Sequence, residues 1–349
     1  MKNFMDRRAF IQGLFVLSAG WAARGWAAPM STVPFSPSLV QVSETRNLMA
    51  TFVTITLLHS SPDQAQTVLG AAFHKMENWI QIFNRHESGS YLTYLNERGF
   101  LKDPPPELLH VLREAKAIHS RTRGVFDVTI KPVLDLYESQ NESGRIPTSA
   151  AIQEALGLVG ISGLKIDPQR TTIKEGMGIT LDGIAKGTIV DKTITFLKGK
   201  GIRHALVAAG GDIRVFGGRK AKVPWRIAVY DPKNKSEFPE TISLSEGAVS
   251  TSGNYMVYFD REKVHHHILS PENGVSPTWS VSSTIVAPTS EEADALATSL
   301  MLLSPEEGMS LINKDRGLAA MLITREGKRI HSLRWPGTSE SREGRNDRA

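Results

Sequence analysis

Residues 205–216 read Ala-Leu-Val-Ala-Ala-Gly-Gly-Asp-Ile-Arg-Val-Phe, and this stretch decides how the chain folds. Two short apolar runs flank Gly210-Gly211-Asp212, and each run has the length and composition of a buried strand. Since a connection this short returns the chain beside itself, the stretch predicts an antiparallel hairpin. The glycines fit a tight turn, or a place where the backbone comes close to a flat ligand.

Outside the hairpin, helices and strands mix without regular alternation. This order predicts an α+β fold, a mixed α/β protein with largely antiparallel sheets. Apolar residues at helical spacing predict helices after Pro62 and Pro106, over 186–199, from a Ser290 cap to about residue 303, and after Ser304. Further strands are predicted at 49–58, 225–230, 242–244, 256–259, 281–286, 320–324 and 329–333.

The N-terminus has the pattern of an export signal. Arg7-Arg8 is followed by a short apolar stretch and by small residues that offer a cleavage site, which predicts a twin-arginine signal peptide over 1–28. The protein is therefore expected in the periplasm, exported already folded. Residues 29–45 are rich in Pro and Ser and are predicted to be a linker, 46–336 form the catalytic domain, and 337–349 form a disordered tail.

The composition excludes several classes of function. The formal net charge is +5, and the first 28 residues hold four basic side chains against one acidic side chain. The rest of the chain is nearly neutral and has no dense basic stripe, which argues against nucleic acid as a partner. Cysteine is absent, so disulfides, thiolate metal sites and catalytic thiols are excluded. No stretch of the mature chain is long and apolar enough to span a bilayer.

Three short segments carry residues suited to chemistry. Asp294 and Thr298 are four apart, so they lie on one helix face and offer two hard oxygen ligands of the kind that Mg²⁺ accepts. The same spacing also fits an aspartate that complements the helix dipole and a threonine bonded to its own backbone. Residues 183–187, Gly-Ile-Ala-Lys-Gly, fit a phosphate-binding helix start with Lys186 as an added charge, or a plain turn.

The third segment is the run His265-His266-His267. If the run is a strand, His265 and His267 face one side and His266 faces the other. A histidine here suits a general base, three in a row suit a transition metal, and a solvated strand edge explains them equally well.

Taken together, these segments resemble the ApbE family of FAD:protein FMN transferases. The resemblance runs in order from Met49 to about Trp335. The matching blocks are Met49-Ala50-Thr51, Gly124-Val-Phe126-Asp127-Val-Thr129, Gly183-Ile-Ala185-Lys186-Gly187 with Asp191, Gly210-Gly211-Asp212-Ile213, Ser250-Thr-Ser252-Gly253-Asn-Tyr255, His267-Ile-Leu-Ser-Pro271 with Gly274, and Ala293-Asp294-Ala-Leu-Ala-Thr298.

The resemblance implies a T-fold-related α/β body that holds FAD, the substrate, in a cleft. It also implies a Mg²⁺ ion bound by Asp294, Thr298 and the backbone carbonyl of Ala185. Asp294 and His267 are then the catalytic residues, with His267 as the proton acceptor. The residues expected to line the flavin cleft are Met49, Phe126, Asp127, Lys186, Gly210, Gly211, Asp212, Ser252, Gly253 and His267.

This chain departs from the family pattern at several positions. Asp182 stands directly before the Gly-Ile-Ala-Lys-Gly turn, where members often have Gly or Asn, and Thr180 stands where they have Asp. Ala50 replaces a glycine, Asn254 an aspartate, and Ser270 the aspartate after the histidine. The metal ligands are kept, so these changes bear on how the flavin or its acceptor is placed.

The expected reaction moves FMN from FAD to a Thr or Ser hydroxyl of an exported or membrane flavoprotein, with release of AMP. Hydrolysis of FAD to FMN and AMP is one alternative, and a periplasmic protein that binds FAD without turnover is another. Export by the twin-arginine route is typical of the accessory flavin transferases of nitrous-oxide respiration, whose acceptor is a membrane flavoprotein. A sodium-pumping or related membrane redox complex is an alternative acceptor.

Overall fold

The Gly210-Gly211 turn joins two neighbouring strands at the middle of a large antiparallel sheet. The computed structural model describes residues 33–36, 39–219, 223–232, 238 and 240–339. Along the sheet, each strand is antiparallel to the next. In spatial order its described strands are β1 (Val33–Ser36), β2 (Leu39–Leu48), β3 (Thr51–His59), β6 (Ala205–Ala209), β7 (Asp212–Phe216), β10 (Glu246–Gly253), β11 (Ser280–Ala287), β12 (Ala319–Thr324) and β13 (Arg329–His331).

Two small sheets and a set of helices complete the described part. One small sheet pairs β4 (Phe100–Lys102) with β5 (Arg170–Thr172), and the other orders β14 (Thr338–Ser339), β9 (Glu240–Leu244) and β8 (Trp225–Val229). The α-helices are α1 (Pro62–Phe83), α2 (Tyr91–Arg98), α3 (Pro106–Arg121), α4 (Lys131–Asn141), α5 (Ser149–Leu156), α6 (Ala185–Gly199), α7 (Ser290–Leu302) and α8 (Pro305–Asn313). None of these helices combines the length and hydrophobicity of a membrane span.

The central strands are apolar on both faces because both faces are covered. In β6, Ala205, Val207 and Ala209 point into a core shared with α1 and α6. Leu206 and Ala208 point the other way, into a second core with Trp225 and Ile242 of the small β8–β9 sheet. Such double burial explains why 205–209 reads as an unbroken apolar run rather than an alternating one. The predicted α+β class with largely antiparallel sheets is confirmed.

The sequence prediction was wrong at the two ends of the domain. Residues 39–45, predicted as linker, belong to β2, which pairs with β3 from Val40↔His59 to Leu48↔Thr51. The strand was missed because it lies near the sheet edge, where polar pairs such as Ser43–Thr56 replace apolar ones. In the predicted tail, the backbone of Thr338–Ser339 pairs with β9. The predicted signal peptide, 1–28, lies outside the described residues.

Two internal predictions also needed correction. Residues 256–259 form no strand, and their only bridge among described residues is Tyr258↔His266. The backbone N–H groups of Phe259 and His267 donate across this bridge. The Asp260 side chain takes the N–H groups of Val264 and His265, so the pairing does not extend beyond the bridge on that side. The cap of α7 is Thr289, whose hydroxyl accepts from Glu292 N, and not Ser290. Helices α2, α4 and α5 and strand β10 were not predicted.

Candidate active site

Backbone turns from distant parts of the chain meet at one end of the central sheet. The N–H of Gly210 donates to the carbonyl of Phe52 at 3.2 Å, beside the turn that joins β2 and β3. A Cβ on Gly211 would lie 2.5 Å from the carbonyl oxygen of Thr251 in β10. Only glycine permits this approach, so the Gly-Gly pair is both a tight turn and a point of close backbone packing.

The β2–β3 turn is strained. Its two residues, Met49 and Ala50, have φ angles of +52° and +55°, the left-handed conformation that a two-residue hairpin turn requires. Neither residue is a glycine, so each pays a steric cost of roughly 1 kcal/mol. The next residue, Thr51, has a buried hydroxyl without a hydrogen-bond partner. Met49, predicted to contact flavin, therefore stands at a strained turn beside Gly210.

Helices α6 and α7 cross next to these turns and are in direct backbone contact. The N–H of Gly187 donates to the Asp294 carboxylate at 3.1 Å. A Cβ on Gly187 would lie 2.3 Å from the carbonyl oxygen of Ser290, so the helices can meet here only at a glycine. Asp191 of α6 accepts hydrogen bonds from the N–H groups of Ser290 and Glu291, both at 2.9 Å, and thus holds the start of α7.

Lys186 lies between two buried carboxylates. Its Nζ is 3.2 Å from Asp212 Oδ2 and 3.8 Å from Asp294 Oδ1. The two aspartates are 2% and 3% exposed, respectively. Ser250 donates to the other oxygen of Asp212 at 2.7 Å. The sequence had placed these residues in three separate blocks, and the structure brings them together.

Lys186, Asp212 and Asp294 together hold two carboxylates and one ammonium, so negative charge is in excess. Burial raises the pKa of Asp294, the Asp212 charge raises it further, and Lys186 and the Gly187 N–H only partly oppose this, so that it reaches about 7. Burial by itself would lower the pKa of Lys186, but the charges of Asp212 and Asp294 outweigh burial and raise it. The lysine is therefore a fixed cation shared by two carboxylates.

Thr298 lies one turn after Asp294 and faces the Gly-Ile-Ala-Lys-Gly turn. Its Oγ1 is 3.3 Å from the hydroxyl of Ser252. A Cβ on Gly183 would lie 3.1 Å from the same Oγ1 and 3.3 Å from the ring of Phe126. Gly183, Phe126, Ser252 and Thr298 are thus neighbours, as expected for parts of one site.

This donor set fits a small divalent cation. Two buried carboxylates share one ammonium, and Asp212 Oδ2 accepts no hydrogen bond despite its burial. An uncompensated buried carboxylate is costly, and a hard cation relieves that cost. Ala185, whose carbonyl completes the expected set, is the first residue of α6. Among the described residues, no three His, Asp or Glu side chains gather as ligands, so hydroxyl, carbonyl, water or substrate oxygens must complete the shell.

The histidine run is a loop segment, which corrects the predicted strand. His266 is fully buried and structural. Its backbone N–H donates to Ser276, its Nδ1 accepts from the N–H of Ile268, and its Nε2 donates to the carbonyl of Pro277. His266 and His267 do differ in their surroundings, as predicted, but the difference comes from their hydrogen bonds and not from strand alternation.

His267 has the hydrogen bonds that a base needs. Its Nδ1 donates to the carbonyl of Val257 at 3.0 Å, which leaves the lone pair on Nε2. Burial lowers the pKa of His267; its bond to the Val257 carbonyl and the charge of Asp182 oppose this, and the charge of Lys186 adds to the lowering. A neutral imidazole with a free Nε2 is therefore the resting state at neutral pH.

Asp127 has a structural part in the fold, and its flavin contact stays a prediction. Its Oδ1 accepts from the N–H and the hydroxyl of Thr129, and its Oδ2 is 3.5 Å from His119 Nδ1. The carboxylate caps the short 3₁₀ turn Val128–Ile130. Phe126 borders the site and Asp127 shapes the backbone beneath it.

Two groups were missed by sequence reasoning. Ser250 belongs to one of the matching blocks, but its hydrogen bond to Asp212 was not predicted. That bond depends on the register of β10 against β7, which the sequence does not show. Arg85, directly after α1, forms ion pairs with Asp182 and Glu138, and nothing near it in the sequence signals those partners.

Comparisons with known proteins show the family of this chain. Residues 49–322 match the model of the ApbE family. An FAD:protein FMN transferase of Vibrio cholerae is 30% identical over 275 residues, which cover 76% of this chain and 77% of that protein. The crystal structure of the ApbE protein from Thermotoga maritima has 28% identity and a TM-score of 0.77, covering 84% of this chain and 97% of that one. The flavin transferase ApbE from Vibrio cholerae has 25% identity and a TM-score of 0.72, covering 84% and 98%.

Proposed function

The chain belongs to the ApbE family, and on that premise we propose the reaction that its site performs. The protein is an FAD:protein FMN transferase. In the proposed reaction it moves FMN from FAD to a Thr or Ser hydroxyl of a partner protein and releases AMP. The supporting observation is that buried Asp294, paired with Lys186, lies one helical turn from Thr298 and faces the glycine turn of α6.

We propose Mg²⁺ as the cofactor, held by Asp294, Thr298 and the carbonyl of Ala185. When bound, the ion supplies Lewis-acid stabilisation of charge on the pyrophosphate. The chain's own contribution is a fixed positive charge at Lys186 and a rigid crossing of α6 and α7. Because transfer of a phosphoryl-type group depends mostly on positioning and electrostatics, this rigidity is itself catalytic.

His267 is the proposed general base. The acceptor hydroxyl attacks the FMN-side phosphorus, its proton passes to Nε2 of His267, a new O–P bond forms, and the bond to the AMP phosphate oxygen breaks. Nδ1 is held by the Val257 carbonyl throughout, which fixes the tautomer and the direction of Nε2. Asp294 is engaged by Gly187 and the proposed metal, and Lys186 is charged, so neither suits this role.

We further propose that the protein works in the periplasm on an exported or membrane flavoprotein. The support is the Arg7-Arg8 pattern, which lies outside the described residues. A flavin-accepting protein of nitrous-oxide respiration is the proposed class of partner, with a sodium-pumping or related redox complex as the second.

The test is incubation with FAD, Mg²⁺ and a domain of such a redox protein that carries the target Ser or Thr. AMP together with a flavin-fluorescent acceptor band supports the proposal. AMP with free FMN would assign FAD pyrophosphatase activity instead, and absence of AMP would leave a flavin-binding protein. Omission of Mg²⁺, with EDTA present, tests the cofactor separately.

A further inference from the structure

The guanidinium of Arg85 joins two parts of the site that have no direct connection in sequence. Its Nε donates to Asp182 Oδ2 at 2.8 Å, and its two Nη atoms donate to Glu138 at 2.7 and 3.3 Å. The Arg85 side chain is only 6% exposed, although both carboxylates reach solvent. A third carboxylate, Asp135 of α4, lies 3.9 Å from Nη1. The guanidinium thus donates to carboxylates from two different parts of the chain, the segment before α6 and helix α4.

One end of this ion-pair group lies next to the turn Gly183–Gly187, called the metal turn here because it carries Ala185, a proposed metal ligand. Asp182 directly precedes Gly183, the residue that contacts Thr298 and Phe126. The backbone carbonyl of Asp182 also accepts from Lys186 Nζ at 3.4 Å. A shift of Asp182 would therefore move the start of α6, where Lys186 and Ala185, one of the proposed metal ligands, lie.

The other end of the ion-pair group, Glu138, lies on α4, and the segment with the histidines packs against this helix. The neighbouring Tyr137 stacks on Phe259 with ring centroids 5.3 Å apart. Phe259 and Leu269 stand on either side of the histidines and are both buried in the core formed with α4 and α5. The N–H of Phe259 donates to the carbonyl of His265 at 2.7 Å, so the segment moves with this core.

We propose that Arg85 is a positioning residue, whose ion pairs with Asp182 and Glu138 set the distance between His267 and the metal turn. The proposal rests on the proposed transfer reaction. A misplacement of about 1 Å between reacting groups can cost on the order of 100-fold in rate.

The experiment measures single-turnover FMN transfer from FAD to the acceptor domain, and the Kd of FAD, in Arg85→Ala and Arg85→Lys. We expect both variants to lose about 10- to 100-fold in the transfer rate while the Kd of FAD changes little. Lysine should not restore the rate, because a point charge cannot hold two carboxylates in one plane. Millimolar guanidinium chloride should recover part of the Arg85→Ala rate, and equal NaCl should not.

Arg113→Ala, at an exposed arginine of α3, is the matched control and should transfer at the wild-type rate. If Arg85→Ala fails to fold, Asp182→Asn and Glu138→Gln take its place in the same assay, since each removes one ion pair of Arg85. A normal transfer rate in these variants, or a parallel loss of FAD binding and rate without guanidinium rescue, would overturn the proposal. A wild-type enzyme that releases AMP but labels no acceptor would instead overturn the proposed transfer reaction.

Discussion

The N–H of Gly187 points at the carboxylate of Asp294 across the contact between α6 and α7, with a hydrogen bond of 3.1 Å. Asp294 is thereby fixed by the backbone of the helix that begins at the glycine turn. The two helices cannot separate or slide without breaking this bond, so the position of the Asp294 carboxylate, the proposed metal ligand, depends on how closely the helices approach.

Gly187→Ala is expected to push the helices apart. The new Cβ would lie 2.3 Å from the carbonyl oxygen of Ser290 and 2.8 Å from Cα of Glu291, and backbone cannot yield as a side chain does. We expect a loss of about 1–3 kcal/mol in the free energy of unfolding, the usual cost of overpacking. Gly199→Ala in the same helix is the control, since nothing lies within 4 Å of its Cβ. Equal urea midpoints for the two variants would contradict the argument.

Asp294→Ala should abolish Mg²⁺-dependent AMP release while the fold persists. The substitution removes the only charged ligand assigned to the metal, and hard divalent ions depend on carboxylate charge. Thr298→Val should be milder, because water can replace one neutral ligand. AMP release is followed by chromatography at several Mg²⁺ concentrations. Near-normal release by Asp294→Ala would show that the metal has been assigned to the wrong residues.

His267→Ala should lower transfer by about 10²–10⁴-fold, the usual range for a general base, with little change in FAD affinity. Because the pKa of His267 is lowered, the imidazole is neutral at pH 7 and accepts a proton there. At saturating Mg²⁺, which favours ionised Asp294 in the proposed site, the wild-type rate should therefore fall as the pH drops through the lowered pKa of His267, below about 6.5. The variant should lack that acid limb. A small rate loss with an unchanged pH profile would mean that positioning alone drives the reaction.

His266→Ala should act on stability instead of chemistry. The side chain is fully buried, and its two ring nitrogens serve Ile268 and Pro277. We expect the free energy of unfolding to fall by about 1–3 kcal/mol, because buried partners lose their hydrogen bonds. Thermal unfolding of His266→Ala and His267→Ala side by side separates the two roles. A stable His266→Ala with a large loss of transfer would reverse the assignment.

Arg7→Lys/Arg8→Lys should leave the precursor in the cytoplasm with its signal uncleaved. The double lysine keeps the charge and loses the guanidinium geometry that the twin-arginine receptor reads. Fractionation and immunoblotting of the two cell compartments measure this. Efficient export of the variant would indicate the general secretory route, and with it folding after translocation.

Local periodicity predicted what depends on neighbours in sequence. The four-residue spacing placed Asp294 and Thr298 on one face of α7, and the Gly-Gly pair predicted the β6–β7 hairpin. It could not show that Asp294 meets Gly187, because the two are 107 positions apart. The His265–His267 segment was misjudged because alternation assumes a continuing ladder, whereas the backbone pairing here is limited to the bridge Tyr258↔His266 and the Asp260 side chain takes the N–H groups of Val264 and His265. Arg85 went unnoticed because its partners lie 53 and 97 positions away.

The meeting of β3 and β6 has a consequence for biosynthesis. On one side β3 pairs with β2, which is made just before it, but on the other side Val53 pairs with Ala209 of β6, which exists only once most of the chain has left the ribosome. Closing so long a loop costs entropy before any contact repays it, which makes this pairing a late event in folding. Thr298 emerges later still. A nascent or truncated chain that lacks Thr298 therefore lacks part of the proposed site, and we expect transfer activity only once the last third of the polypeptide has joined the sheet.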